Sequence, residues 1–391
     1  MDKNILLGVS GGIAAYKAID LASKLSKAGY SVKTILTENA SRFVAGINFA
    51  AITHGSVHSQ LFEDADPIPH ITLADWADLI VVAPATANIL AKAAQGIADD
   101  LLSTTLLAHA EPVLYVPAMN VNMYQSQATQ ANLNILRVRG NHVLEPNTGL
   151  LACGYEGKGK YPPNAEVANA IRCYLEYPED LDGISVLVTA GATAEPIDPM
   201  RLITNKSSGR MGLAIARAFA LRGAKVTLVH GLMEETPPYY LHQAIFAPTV
   251  QLMYDAVIKA AKGCRIIVKC AAVSDFKPLK ASSHKIKKGG SLNLELAPTP
   301  DILAQLGKQK TKKQKLVGFA AETDNLIANA REKLQKKNLD LICVNHLDTA
   351  GADQTTLSVI SAGDNKNKKT LQLSGDKFEV ALRLVERIVK P

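Results

Sequence analysis

Short apolar runs separated by amphipathic stretches set the rhythm of this chain. Ile5 to Ser10 reads as a buried strand, Gly12 to Ala28 as an amphipathic helix ended by Gly29, and Val32 to Leu36 as the next strand. Leu79 to Ala83 and Val113 to Val116 repeat the short apolar run. Strands that alternate with helices predict a parallel sheet, doubly wound. The same grammar restarts with a strand over Ser185 to Ala190, a loop, a helix over Met211 to Leu221 and a strand over Lys225 to Val229. Between the two repeats lies Tyr177-Pro178-Glu179-Asp180, which reads as a linker. Two hairpins are predicted to interrupt the second half. One runs from Lys285–Lys288 through Gly289-Gly290 into the alternating Leu292–Leu296, and the other sets Leu357–Ile360 opposite Thr370–Leu373. Such insertions often serve as lids or subunit contacts. The expected fold class is α/β, with two Rossmann-like domains over residues 1–180 and 181–391 and hairpin insertions in the second.

A chain of 391 residues is long for one hydrophobic core, which agrees with the two repeats. With 47% hydrophobic and 20% charged residues the composition is that of a globular enzyme, and no apolar run is long enough to span a bilayer. The start, Met1-Asp2-Lys3, has neither the length nor the cleavage site of a secretory signal. Five scattered cysteines, Cys153, Cys173, Cys264, Cys270 and Cys343, read as reduced thiols, which makes the cytoplasm the expected compartment. The net charge of +7 is concentrated in lysine-rich stretches near Lys285–Lys288 and Lys308–Lys315. Solvated loops or attraction of phosphate explain them better than nucleic acid, because no aromatic interleaving or nucleic-acid module accompanies them.

Gly8-Val9-Ser10-Gly11-Gly12-Ile13-Ala14 joins a strand to a helix N-terminus, where free backbone N–H groups and the helix dipole favour an anion. The spacing departs from G-x-G-x-x-G, and the next strand ends at Thr37 rather than at an acid that would hold an adenine ribose. A mononucleotide phosphate is therefore the better guess, with a tight turn lacking any ligand as the alternative.

Two motifs in the first half are more specific. Pro117-Ala118-Met119-Asn120-Val121-Asn122-Met123-Tyr124 is followed by Ala152-Cys153-Gly154-Tyr155-Glu156-Gly157-Lys158-Gly159-Lys160 in a glycine-rich stretch. Together they resemble the signature of the flavin-dependent cysteine decarboxylases. The second half adds Thr189 to Asp198, then Asn205-Lys206-Ser207-Ser208-Gly209-Arg210-Met211-Gly212, then Ala271-Ala272-Val273-Ser274-Asp275-Phe276-Lys277-Pro278. With these the chain resembles, from Ile5 to about Val385, the bacterial bifunctional family that fuses phosphopantothenate–cysteine ligase to phosphopantothenoylcysteine decarboxylase.

That resemblance implies a flavodoxin-like first domain binding FMN through Ser10, Gly11, Gly12, Thr37, Ala85, Thr86, Asn88 and Ser103. It also implies three catalytic residues. His70, in the context His-x-x-Leu-x-x-Trp-Ala, would act as base or orienting group, although a lone histidine before a buried strand is more often structural. Asn120, otherwise a plain turn residue, would hold the substrate carboxylate. Cys153, otherwise an inert thiol, would donate a proton from a segment that closes over the substrate. The family's covering segment usually has an acid where Tyr155 stands and arginine where Lys160 stands; lysine keeps the charge but loses the bidentate fork.

For the second domain the resemblance implies CTP and Mg²⁺, with Asp275, Lys285, Pro300, Asp301, Ile302, Leu303, Phe319, Lys333 and Lys337 at the nucleotide and Asn205 at the acyl intermediate. Asn205 and Lys285 are the implied catalytic pair, and no metal ligand is singled out. At i, i+4 spacing Lys333 and Lys337 also fit a solvated helix face. Lys206 and His346 depart from the family's histidine and aspartate. The implied partners are small molecules (phosphopantothenate, cysteine and CTP), with no nucleic acid and no membrane, in a homo-oligomer built from trimeric decarboxylase and dimeric ligase contacts. The rival readings are a non-catalytic regulatory flavoprotein and a different FMN enzyme joined to an unrelated nucleotide-binding domain.

Overall fold

The structure, a computed structural model, describes residues 3–62, 67–177, 180–288, 292–322, 326–346, 354–363 and 370–390. The chain separates into two compact units, Met1–Pro178 and Glu179–Pro391. Of the expected linker, Pro178 and Glu179 lie outside the described residues.

Unit one runs β1 (Asn4–Val9), α1 (Tyr16–Lys27), β2 (Ser31–Leu36), α2 (Gly46–Thr53), β3 (Val57–His58), α3 (Pro69–Trp76), β4 (Leu79–Ala85), α4 (Ala87–Gln95), α5 (Leu101–Ala108), β5 (Leu114–Pro117), α6 (Val121–Gln125), α7 (Gln127–Val138), β6 (His142–Val143), β7 (Asn147–Leu150), β8 (Glu156–Lys160) and α8 (Asn164–Glu176). The main sheet is parallel in the order β3-β2-β1-β4-β5-β6. Counted with the two-residue edge strand β3 this is the Rossmann order, and without it the flavodoxin-like one. Every residue of β4 is buried, as a central parallel strand covered by helices on both faces requires. The expected helix from Gly12 starts later: Gly12 is extended, Ile13–Ala15 form a 3₁₀ turn, and α1 follows. Its Ala18, Leu21, Ala22 and Leu25 recur at helical spacing and are buried. A hairpin outside the sheet, β7 with β8, carries residues 151–155 at its tip.

Unit two continues with β9 (Ser185–Ala190), β10 (Ala194–Asp198), β11 (Arg201–Thr204), α9 (Arg210–Leu221), β12 (Lys225–His230), β13 (Gln243–Phe246), α10 (Val250–Ala261), β14 (Ile266–Lys269), β15 (Phe276–Pro278), β16 (Leu296–Pro298), α11 (Ile302–Gln309), β17 (Lys315–Glu322), α12 (Leu326–Lys336), β18 (Leu341–His346), β19 (Gln354–Ser361), β20 (Leu371–Asp376) and α13 (Lys377–Val389). Its eight-stranded sheet has the order β13-β12-β9-β14-β17-β18-β19-β20. The first six strands are parallel, and the hairpin β19–β20 extends the edge antiparallel. That hairpin is the one expected from Leu357 and Leu373, which pair directly.

The other expected hairpin is corrected. Lys285–Lys288 is not a strand, Gly289 and Gly290 lie outside the described residues, and β16 begins only at Leu296. Its partner is β15, antiparallel, with Pro278 opposite Leu296. A second arm, β10–β11, projects from the end of β9. Among the described residues no helix is long and apolar enough to cross a membrane.

Candidate functional site

In unit one a cleft of about 1150 Å³ opens where β1 and β4, neighbours in the sheet, send their following segments apart. Such a switch point in an open α/β sheet is where ligands bind. Ser10 is buried and bolts the two loops together. Its hydroxyl donates to the Pro84 carbonyl at 2.7 Å and accepts from the Thr86 N–H at 2.9 Å. Gly11 passes Asn39 so closely that a Cβ there would lie 2.3 Å from the Asn39 Cβ, whereas one on Gly12 would meet only the Thr86 methyl, at 3.4 Å. Gly11→Ala is therefore expected to cost about 1–3 kcal/mol in urea unfolding, since backbone must move. Gly12→Ala should keep parental stability. Equal stability of all three proteins would show that the loop yields.

The cleft is lined by Ser10, Gly11, Gly12, Thr37, Thr86, Asn88, Asn120 and Cys153. Asn120 caps α6, its Oδ1 accepting from the Asn122 N–H at 2.8 Å, and its amide Nδ2 donates to the Cys153 Sγ at 3.2 Å. Cys153 is exposed at the tip of the β7–β8 hairpin. The Asn120 amide, with help from the backbone at Tyr155, holds its thiol below the ordinary cysteine range.

Three expected residues stand apart. Ala85 is a fully buried strand residue. Ser103 lies in a capping box, its N–H donating to Asp100 Oδ1 at 2.8 Å and its Oγ accepting from the Asp100 N–H at 3.1 Å; it does not line the cleft. His70 sits in the first turn of α3, outside the cleft lining, with a buried Nδ1 that meets no partner among the described residues.

Unit two gathers several of the expected residues around the ends of β9 and β14. The buried Thr189 Oγ1 accepts from the N–H groups of Cys270 and Ala271, both at 3.0 Å, and the Thr193 Oγ1 accepts from the Ser274 N–H at 2.9 Å. The loop over 191–193 is thereby locked to the loop over 270–275, which places Asp275 exposed at the rim. Asn205 reaches the same loop, its Nδ2 donating to the Val273 carbonyl at 3.2 Å. The Thr299 N–H donates to the Asp275 carbonyl at 2.9 Å, bringing in the start of α11. There Asp301 caps the helix through the Ala304 N–H at 2.9 Å and pairs with the Lys337 ammonium at 2.9 Å.

Ile302 and Leu303 are core side chains, so only their backbone could meet a ligand. Pro300 is exposed and Phe319 half-buried. Lys333 is half-buried on α12. Lys285 is exposed on a segment held by Asp198, which is buried and accepts from the N–H groups of Met200, Arg201 and Ile286 at 2.8, 2.9 and 3.1 Å. Burial opposes that carboxylate's charge, yet the backbone donors and Arg201 keep it below the usual range.

Comparison with known proteins gives these arrangements a context. Residues 1–175 match the Flavoprotein family, and residues 181–390 match the family described as the DNA/pantothenate metabolism flavoprotein C-terminal domain. The coenzyme A biosynthesis bifunctional protein of Bacillus subtilis strain 168 is 44% identical over 395 residues, spanning 99% of this chain and 97% of the relative. That of Haemophilus influenzae is 41% identical over 396 residues, with 99% and 97% covered. The chain belongs to the coenzyme A biosynthesis bifunctional protein family. As a member it is a bifunctional enzyme, a decarboxylase and a ligase, and a flavoprotein. A solved C-terminal domain of such a bifunctional protein aligns with 37% identity and a TM-score of 0.45, covering 53% of this chain and 95% of that one.

Sequence reasoning about this family member missed several groups at the sites. Lys92 lines the first cleft and pairs with Asp99 at 2.5 Å and Asp100 at 2.6 Å. Lys269 is half-buried at the end of β14, donates to the Ala271 carbonyl at 2.8 Å and is pushed down to about 8 by the loss of water around its ammonium, with Lys337, Asp301 and Asp275 near enough to act on it. A lysine closing an apolar strand was the available signal, because a strand interior does not accept a charge without a polar purpose.

Proposed function

We propose that unit two joins cysteine to phosphopantothenate through an acyl-cytidylate formed from CTP with Mg²⁺, and that unit one decarboxylates the resulting phosphopantothenoylcysteine with FMN. The observation that carries the reading is the Asn120–Cys153 contact at the mouth of the cleft, which sets an amide donor and an acidified thiol side by side.

Losing carbon dioxide from a cysteinyl carboxylate leaves an electron pair with nowhere to go, and FMN, when bound, supplies the reversible two-electron chemistry that makes a sink at the neighbouring thiol carbon. The cleft suits it: Gly12 leaves open the space a Cβ would fill, and the Ser10 bolt fixes the loop whose backbone would face the phosphate. Asn120 then orients the carboxylate through its amide. Cys153 returns a proton to the carbon that lost carbon dioxide, and its lowered pKa makes it a stronger acid toward that carbon than an ordinary thiol. His70 serves as base or orienting group toward the substrate thiol.

In unit two a carboxylate must be activated before an amine can displace its oxygen. Lys285, Lys333 and Lys337 would offset charge on the transferring phosphoryl group, Asp275 and the backbone of Pro300–Leu303 with Phe319 would hold the nucleotide, and Asn205 would contact the acyl group. Among the described residues no three His, Cys, Asp or Glu side chains converge on one point. A Mg²⁺ accompanying the nucleotide would help to offset its phosphate charge. The assembly would join trimeric decarboxylase contacts with dimeric ligase contacts, in the cytoplasm.

The test is mass spectrometry of the products from purified protein given phosphopantothenate, cysteine, CTP and Mg²⁺. Phosphopantetheine, carbon dioxide, CMP and pyrophosphate are expected. Colourless protein that takes up no FMN on reconstitution would remove the decarboxylase half of the reading.

A further inference from the structure

Four charged or polar groups from four parts of unit one meet away from the cleft. Glu145, between β6 and β7, accepts from the Tyr124 hydroxyl of α6 at 2.6 Å, pairs with the Lys158 ammonium of β8 at 2.5 Å, and pairs with the Arg137 guanidinium of α7. Lys158 also lies 5.5 Å from the centroid of the Tyr124 ring. Burial works against the Glu145 charge, but these donors prevail and hold its carboxyl below the usual range.

The elements so joined are the two that carry Asn120 and Cys153. Asn120 opens α6, and β8 is the strand returning from the tip that bears Cys153. Close backbone approach is possible only because β8 is glycine-rich at the contact. A Cβ on Gly157 would lie 2.7 Å from the Val121 side chain and one on Gly159 2.3 Å from the Met119 carbonyl, while the Met119 N–H donates to the Gly159 carbonyl at 3.0 Å. The tip itself is exposed at Cys153 and Tyr155, as is Leu150 at the end of β7. Its placement over Asn120 is therefore decided at the root of the hairpin.

We propose that Glu145 is a positioning residue that fixes the root of the β7–β8 hairpin on α6 and so sets the Asn120–Cys153 contact. Without its negative charge, Lys158 and Arg137 would be two cations converging on one neutral group, and the buried Tyr124 hydroxyl would be left with a weaker acceptor. The hairpin would then be pushed off α6 rather than drawn onto it. The consequence for turnover rests on the decarboxylase reading, whereas the contact itself can be probed without substrate.

The experiment uses the full chain as Glu145→Gln and, separately, as Lys158→Met, which removes only the hairpin-side arm. Cys153 alkylation by iodoacetamide is followed against pH by peptide mass spectrometry, alongside bound flavin and steady-state decarboxylation. In both variants the flavin should be retained, the alkylation midpoint should move to higher pH as the Asn120 donor is lost, and kcat should fall about tenfold with little change in KM. A merely structural role would lower stability and leave the midpoint where it was. The proposal is overturned if both variants alkylate with the parental midpoint, or if Lys158→Met does so while Glu145→Gln loses flavin. A shifted midpoint in a protein without decarboxylase activity would keep the positioning role and remove the reaction assigned to it.

Discussion

Cys153→Ser should release carbon dioxide in a single turnover and yield almost none of the saturated thiol product. Serine is close to cysteine in volume, so the hairpin tip and its contact with Asn120 should survive. What changes is acidity: a thiol is ordinarily half-ionised near pH 8.5, and this one sits lower because the Asn120 amide stabilises its ionised form. A hydroxyl is a far weaker acid, and the closing proton transfer should slow by about 100-fold or more, the usual range for removing a positioned general acid. Carboxylate loss precedes that step, so an unsaturated enethiol should accumulate in stoichiometric amount. Rapid quench with mass spectrometry reads both products from one sample. Parental turnover in Cys153→Ser would move the proton donor elsewhere and leave the Asn120–Cys153 contact without a chemical purpose.

The sheets were legible from the chain, because parallel strands buried on both faces leave continuous apolar runs such as Leu79 to Ala83 and Ser185 to Ala190. The edge hairpin was legible from the alternation around Leu357 and Leu373. The same kind of alternation misled at Leu292, Leu294 and Leu296. A glycine pair suggested a local turn, yet Leu296 finds its partner at Pro278, and Leu292 and Leu294 remain exposed. Local periodicity reports which face of a strand could be buried but not which strand lies beside it, and pairing at long range is invisible to it. The site divides in the same way. The glycine loop pointed to an anion from local chemistry alone, whereas Asn120 and Cys153, 33 residues apart, became a pair only through a resemblance and then through their contact in the structure. The Asp198 anchor and the Glu145 junction gave no sequence signal, since one acid among many looks alike until three donors are seen to converge on it.

Lys285→Gln should abolish ligation while leaving decarboxylation of supplied phosphopantothenoylcysteine near the parental rate. The reason begins with the backbone. Asp198 holds the Ile286 N–H, the Arg201 guanidinium donates to the Ile286 carbonyl at 3.0 Å, and the Ser282 N–H donates to the Ile197 carbonyl at 2.9 Å. None of these bonds uses the Lys285 ammonium, which stands exposed, so glutamine removes the charge without releasing the segment. A cation fixed in this way needs little reorganisation when charge develops on a phosphoryl group, and removing one such group typically costs about 100-fold or more in rate. Pyrophosphate release from CTP in the presence of phosphopantothenate measures the activation step apart from the later attack by cysteine. If pyrophosphate still appears at the parental rate and only the amide fails to form, Lys285 acts on the amine and not on the nucleotide. Equal loss of both activities would show that the substitution disturbs folding or assembly, because the residues of the first cleft all come from unit one.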